Sequence, residues 1–297
     1  AGNAAAGDGV AQGVAVVGQR AGIDDQPIVM LEMGLHPDVW WIDAGWYPCN
    51  LKWEAAGTWK PNPEHYTNGL GPVGERCARE GIRFLQWFEL ERVTEGSELD
   101  VEHPEWMLYL TDENGKRDWT RMLNLANEDC LRWAIERVDS LICQGRVTIY
   151  RQDFNIHPPA RYWATGDEPD RAGTTENHHI QNLLVFWDTL KERHPGLLID
   201  NCSSGGRRND YELMRRSVPL HYTDVGYGVH PEKQQQYRIM HEWIPYFRAH
   251  NMNWDDPETG EYSRKNRLPD EYSDLVAMAL YLWRYKKRNQ SLQGFSS

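Results

Sequence analysis

The stretch Val147-Thr148-Ile149-Tyr150-Arg151-Gln152-Asp153-Phe154-Asn155 opens on an apolar run and closes on a carboxylate among polar side chains. A short apolar run with a polar end reads as a buried strand whose last residues emerge at the rim of a sheet. The pattern recurs along the chain. Val39-Trp40-Trp41-Ile42 leads to Asp43, residues 82–88 lead to Glu89 and Glu91, Leu197-Leu198-Ile199-Asp200 leads to Asn201-Cys202-Ser203-Ser204-Gly205-Gly206, and residues 218–223 lead to Asp224. Helical periodicity separates these runs. It covers residues 72–80 ahead of Gly81, residues 128–143 with Leu131, Ile135, Val138 and Ile142 on one face behind an Asn127 cap, and residues 175–193 with a stripe from Ile180 to Leu190. A shorter helix is predicted over residues 210–216.

Strands alternating with helices predict parallel βαβ units, and 297 residues suit one α/β barrel of the TIM (β/α)8 type. Such a barrel needs about eight strands. Beyond the five runs above, Met122-Leu123-Asn124-Leu125 is a weaker strand candidate, and others are expected within residues 14–32 or after Trp243. The barrel is thus expected to be incomplete or irregular at both ends. Residues 1–24 read as a Gly/Ala-rich terminal segment, residues 25–297 as the barrel domain, and residues 269–288 as a helix carrying Leu275, Met278, Leu282 and Tyr285 in register.

A formal net charge of -12 opposes nucleic acid as a partner, because that binding rests on Lys and Arg neutralising phosphates. No apolar run approaches the roughly 18 residues of a membrane span. Neither a nucleic-acid nor a membrane partner is expected; homo-oligomerisation is left open. The fourteen Trp offer flat faces with a polar edge, suited to sugar rings as well as to a core. Five cysteines, Cys49, Cys77, Cys130, Cys143 and Cys202, form no C-x-x-C pair and read as reduced thiols. With no secretory signal visible in Ala1-Gly2-Asn3-Ala4-Ala5-Ala6-Gly7, a cytoplasmic location is expected, a trimmed leader being the other option.

Polar strand ends from consecutive βα units converge on the C-terminal rim of a barrel, where barrel active sites lie. Two carboxylates there, Asp153 and Asp224, suit glycoside cleavage, in whose retaining form one attacks the anomeric carbon and the other protonates the leaving oxygen. Arg151 lies two residues from Asp153 on the same side of an extended strand, so Asp153 is expected to stay ionised as the nucleophile. Asp224 has Tyr222, His221 and Tyr227 nearby and no adjacent cation, which suits a general acid. The bland reading of each is a helix-capping Asp.

These residues resemble, in order from about Trp40 to Asp224, the catalytic barrel of glycoside hydrolase family 36, the α-galactosidases, and more loosely the wider melibiase group. Trp41-Ile42-Asp43-Ala44-Gly45-Trp46 is similar to the family's Asp-Asp-Gly-Trp strand end, and Asn68-Gly69-Leu70-Gly71-Pro72 to its Pro-Asn-Gly-Leu element. Trp87-Phe88-Glu89-Leu90-Glu91-Arg92-Val93 resembles Trp-Phe-Glu-Pro-Glu-Met-Val, with His103-Pro104-Glu105-Trp106 downstream. Arg151-Gln152-Asp153-Phe154-Asn155 resembles Lys-Trp-Asp-Met-Asn, the run from Cys202 to Gly206 resembles Cys-Ser-Ser-Gly-Gly, and Thr223-Asp224 resembles Ser-Asp.

The resemblance implies a retaining hydrolase of terminal α-linked galactose, with Asp153 as nucleophile, Asp224 as acid/base and no cofactor. It places Asp43, Trp46, Trp87, Glu89, Arg151, Asn155, Cys202, Gly205 and Gly206 around the carbohydrate substrate. Three positions depart from the family pattern, Ala44 for the second Asp, Arg151 for Lys and Gln152 for Trp, and each is expected to shift sugar preference. An α-N-acetylgalactosaminidase or another α-hexosidase is the alternative. Family members carry a β-sandwich ahead of the barrel and a β-domain behind it, so this chain is expected to be a truncated or rearranged barrel, and a non-catalytic sugar-binding remnant is the second alternative.

Other chemistries fit less well. His157, His178, His179, His221 and His230 show no zinc-like spacing such as H-E-x-x-H, so no metal is assigned. Cys202 lacks a nucleophile elbow and an assigned base, and Gly205-Gly206 lacks the Lys-Ser/Thr of a phosphate loop.

Overall fold

A computed structural model describes residues 38–49, 52 and 54–220. The chain divides into two compact units, Ala1–Ser204 with Arg208–Val218, and Gly205–Arg207 with Pro219–Ser297. The first unit holds the described strands and nearly all the described helix. Its elements run β1 Val39–Ile42, α1 Gly71–Arg79, β2 Arg83–Phe88, β3 Arg92–Thr94, α2 Glu98–Glu102, β4 Met107–Thr111, β5 Arg117–Leu123, α3 Glu128–Gly145, β6 Ile149–Gln152, α4 Pro159–Ala164, α5 Thr174–Arg193, β7 Leu198–Asn201 and α6 Tyr211–Met214. One further helical turn covers Ser203–Gly206.

Two sheets form. β1, β2, β6 and β7 lie side by side, all parallel, in the order expected of successive βα units of a barrel. The predicted α/β fold is observed, with its helices where periodicity put them. Asn127 caps α3 by accepting from Asp129 N–H at 2.9 Å and Cys130 N–H at 3.0 Å, two amide donors that the helix itself leaves without partners. Asp210 does the same for α6, accepting from Glu212 N–H and Leu213 N–H. α1 and α3 approach closely at Gly74, where an added Cβ would stand 1.9 Å from the Gly145 carbonyl oxygen.

The polar excursion between Glu91 and Asn127 holds the second sheet, antiparallel, in the order β3-β5-β4. Met122 and Leu123 belong to it, which removes Met122–Leu125 as a barrel strand. A short buried apolar run looks alike in either sheet, and only its pairing separates the two. The loop predicted over residues 158–173 contains α4. Of the strand predicted over residues 218–223, Val218 N–H donates to Ile199 O of β7 at 2.8 Å, while residues 221–223 lie outside the described residues. So do the expected strands at 14–32 and after Trp243, the helix at 269–288 and the Gly/Ala-rich opening.

Aromatic rings make up much of the buried core. Trp40, Trp46, Trp87 and Trp187 are fully buried, and a cluster of Trp46, Tyr47, Trp59, Trp87 and Phe88 packs with ring centroids 5.0 to 6.4 Å apart, mostly edge-on or tilted, with Tyr47 stacked on Trp87. All five cysteines carry thiols, and burial pushes Cys77 up to about 12.

Candidate active site

Register fixes which side chains meet. Trp87, Arg151 and Asp200 are direct partners across β2, β6 and β7, and continuing the pairing of Ile42 with Gln86 by one residue sets Asp43 beside Trp87. Partners in neighbouring parallel strands point to the same face, so Asp43, Trp87, Arg151 and Asp200 form one row across the sheet. Asp153 stands one layer further along, on that same face.

Asp153 follows the last residue of β6, is 8% exposed, and is tied back by its N–H to Phe88 O at 2.7 Å. Four donors hold its carboxylate. Oδ1 accepts from Phe154 N–H at 2.7 Å and Ser204 N–H at 2.6 Å, and Oδ2 accepts from Asn155 Nδ2 at 2.8 Å and Trp87 Nε1 at 3.3 Å. The Ser204 donor depends on an uncommon backbone. Ser203 and Ser204 adopt φ of 47° and 54°, a left-handed conformation costing non-glycine residues roughly 1–2 kcal/mol each. Such local strain is retained where it aims a functional group, here an amide at the carboxylate.

Arg151 is the cation of this row. Its guanidinium pairs with Asp200, lies with Nε 3.9 Å from Asp43 Oδ2, and covers the Trp41 ring at 4.5 Å. Its direct bond goes to Asp200 on the neighbouring strand, while its charge also acts on Asp43 and Asp153. Asp200, buried in β7, is the site residue the sequence reading missed. The signal was present, since a carboxylate ending a buried apolar strand requires a partner. Asp43 is held by Trp41 Nε1 and by Ala44 N–H, each at 2.8 Å, and burial raises its carboxyl above the ordinary value against the pull of Arg151.

Trp46 and Glu89 support the site from within instead of facing solvent. Trp46, 1% exposed, donates Nε1 to Trp87 O at 2.7 Å. Glu89 is fully buried, pairs with Arg92 and accepts from Asn155 N–H, so it positions the residue that in turn holds Asp153. Burial pushes its carboxyl up to about 7, opposed by Arg92. Cys202 is buried at the end of β7, its N–H on Gln152 O at 2.9 Å. Gly205 and Gly206 fall in the second unit, with φ of 74° and 95°. Asp224, with His221, Tyr222, Tyr227 and His230, lies outside the described residues.

Gln152 and Glu91 face the other way. Alternation along β6 turns Gln152 away from Arg151 and Asp153, so the departure at this position does not face the Asp153 side. Its Oε1 accepts from Trp187 Nε1 at 2.6 Å and Tyr150 OH at 3.0 Å, and its Nε2 donates to Glu91 Oε2 at 2.8 Å. Glu91 also takes Arg208 through both oxygens, at 2.6 and 2.8 Å, and His179 Nε2 at 2.7 Å. Leu125 N–H donates to His179 Nδ1 at 3.2 Å, so the ring proton that meets Glu91 sits on Nε2. Burial alone would raise Glu91, but Arg208 and His179 hold its carboxyl well below the usual range. Arg208 stacks on Phe154 with 3.6 Å to the ring centroid, and its carbonyl accepts from Asn201 Nδ2 at 2.7 Å. The network thereby locks the chain segment just beyond the Ser203-Ser204 turn to β6 and α5.

A family model described as Melibiase matches residues 30–240. Among curated relatives, alpha-galactosidase AgaA of Geobacillus stearothermophilus is 26% identical over 175 residues, covering 58% of this chain and 24% of its own length. Alpha-galactosidase C of Emericella nidulans is 29% identical over 201 residues, covering 63% and 26%. The chain therefore spans about a quarter of the length of the curated relatives it matches. Among solved structures, the alpha-galactosidase from Lactobacillus brevis superposes with a TM-score of 0.67 at 16% identity, covering 90% of this chain and 38% of that one. A variant of AgaA from Geobacillus stearothermophilus, in complex with raffinose, gives 0.67 at 19% identity, covering 89% and 40%. At such identities the superpositions establish a shared α/β barrel-type fold. With well over half of its residues matched, the chain belongs to the Melibiase family.

Proposed function

We propose that the chain carries the catalytic face of a retaining glycoside hydrolase that removes terminal α-linked galactose from oligosaccharides or glycoconjugates. The observation that carries this reading is the Asp153 carboxylate, aimed by four donors at the end of a parallel strand beside a row of polar and aromatic side chains. Asp153 is the nucleophile and Asp224 the acid/base. The raffinose complex of the AgaA variant supports galactosides as the substrate class. Ala44, whose N–H serves Asp43, brings no second carboxylate to the β1 rim, which leaves an α-N-acetylgalactosaminide or another α-hexoside as the alternative substrate. Residues 25–297 make up the catalytic domain in this reading. Five thiols fit a reducing compartment such as the cytoplasm, and no helix among the described residues is long and apolar enough to cross a membrane.

The test pairs aryl α-galactoside with aryl α-N-acetylgalactosaminide and compares the parent with Asp153→Ala and Asp224→Ala. Asp153→Ala is expected to abolish release of the aryl group from both substrates. Asp224→Ala is expected to spare the first step for aryl groups that leave well, because they need little protonation. Equal residual activity in the two variants would contradict the roles, and binding without release by the parent would identify a sugar-binding module.

A further inference from the structure

A second cluster of chemically able side chains lies away from the sugar site. Asp139 and Cys143 stand one helical turn apart on α3, and His194 immediately follows α5, which packs against α3. One ligand atom from each comes within 4.8 Å of the other two. The segments following α3 and α5 lead directly into the first residues of β6 and β7, so the cluster sits toward the N-terminal ends of the strands. Asp153 and Cys202 mark the opposite ends. In barrels that N-terminal face serves stability rather than chemistry.

We propose that Asp139, Cys143 and His194 bind a zinc-type divalent cation that staples α3 to α5. A thiolate, an imidazole and a carboxylate form a donor set that such an ion accepts, with solvent at the fourth position. Cys143 is exposed and can give its proton to water as the ion binds, whereas the other four cysteines are buried. His194 Nε2 and Asp139 Oδ1 already meet at 2.7 Å. On binding, the imidazole proton moves to Nδ1 by way of solvent, Nε2 turns its lone pair to the metal, and the two donors separate to about 3.3 Å, the edge of a tetrahedral site. The net release is the single thiol proton. The local charge favours a cation, since Arg193 bonds Glu136 at 2.7 Å and lies further from Asp139, at 3.5 Å. Asp139, Glu136 and a Cys143 thiolate then outnumber that one guanidinium.

Sequence spacing concealed this site because the histidine is 51 residues from the cysteine, counting 194 − 143. The test uses the whole chain, stripped of metal and titrated with cobalt(II). A thiolate-to-cobalt charge-transfer band is expected to saturate at one equivalent and to vanish when zinc is added. Cys143→Ser should lose the band, His194→Ala should weaken cobalt binding at least tenfold, and His178→Ala, an exposed histidine of α5 outside the cluster, should leave both unchanged. Zinc should raise the melting temperature of the parent and leave that of Cys143→Ser unmoved. Absence of the band in the parent, or its survival in Cys143→Ser, would overturn the site.

Discussion

The two faces of β6 carry similar residues to different ends. On one face, Arg151 and Asp153 join Asp43, Trp87 and Asp200 in a set whose hydrogen bonds leave a carboxylate at the edge of solvent, 8% exposed. Toward the helices, Gln152 joins the buried Glu91, His179 and Trp187 and the part-buried Arg208 in a set whose members bond one another. A single residue step along the strand separates them. The difference teaches that a charged residue near a strand end is assigned by its partners, since residue type and position alone describe both sets equally well.

The comparison breaks most sharply at Asp153. Asp153→Ala is expected to lower kcat on aryl α-galactoside by on the order of 10⁴-fold or more while the melting temperature stays within a few degrees. A large loss of stability instead would place Asp153 with the structural set. Glu91→Gln should do the opposite, costing about 3 kcal/mol in urea denaturation because Arg208 and His179 lose their anion in a buried setting. Next comes Gln152→Leu, expected to cost roughly 1–3 kcal/mol because Trp187 Nε1 and Tyr150 OH lose their acceptor. Its KM for galactoside should remain that of the parent, and a changed sugar preference at normal stability would show that Gln152 faces the substrate.

The smallest effect is in pH dependence, where the two glutamates following β2 act with opposite sign. Glu89 has its carboxyl raised from 4.5 to about 7, so across that window the folded chain keeps a proton that the unfolded chain releases, and stability falls as pH rises. Glu91 has its carboxyl lowered, so its contribution is present above the ordinary carboxylate range and is lost as pH falls through and below it. Urea midpoints measured across pH should therefore lose the upper slope in Glu89→Gln and the lower slope in Glu91→Gln. Unchanged slopes in both variants would contradict the assigned burial and pairing.

Much of this was legible in the sequence for a physical reason: period and caps are local properties. β1, β2, β6 and β7 announced themselves as apolar runs with polar ends, and α3 by its stripe behind Asn127. Partners are not local. Met122 and Leu123 read as barrel residues until their antiparallel pairing with β3 and β4 was seen. Arg151 lies two positions from Asp153 yet bonds across to Asp200, which the register of β6 and β7 places directly alongside. Adjacent positions on a helix point to different faces, and the structure leaves His178 exposed while His179 turns inward to Glu91.

The row across β1, β6 and β7 also has a sign. Among the described residues of this row, Asp43, Asp153 and Asp200 set three carboxyl groups against the guanidinium of Arg151. A strand-end rim bordered in this way repels anions and welcomes positive charge at short range, where little water intervenes. An imino-sugar protonated at its ring nitrogen should therefore bind more tightly than the neutral hexose of the same shape, and a hexuronate should be turned away.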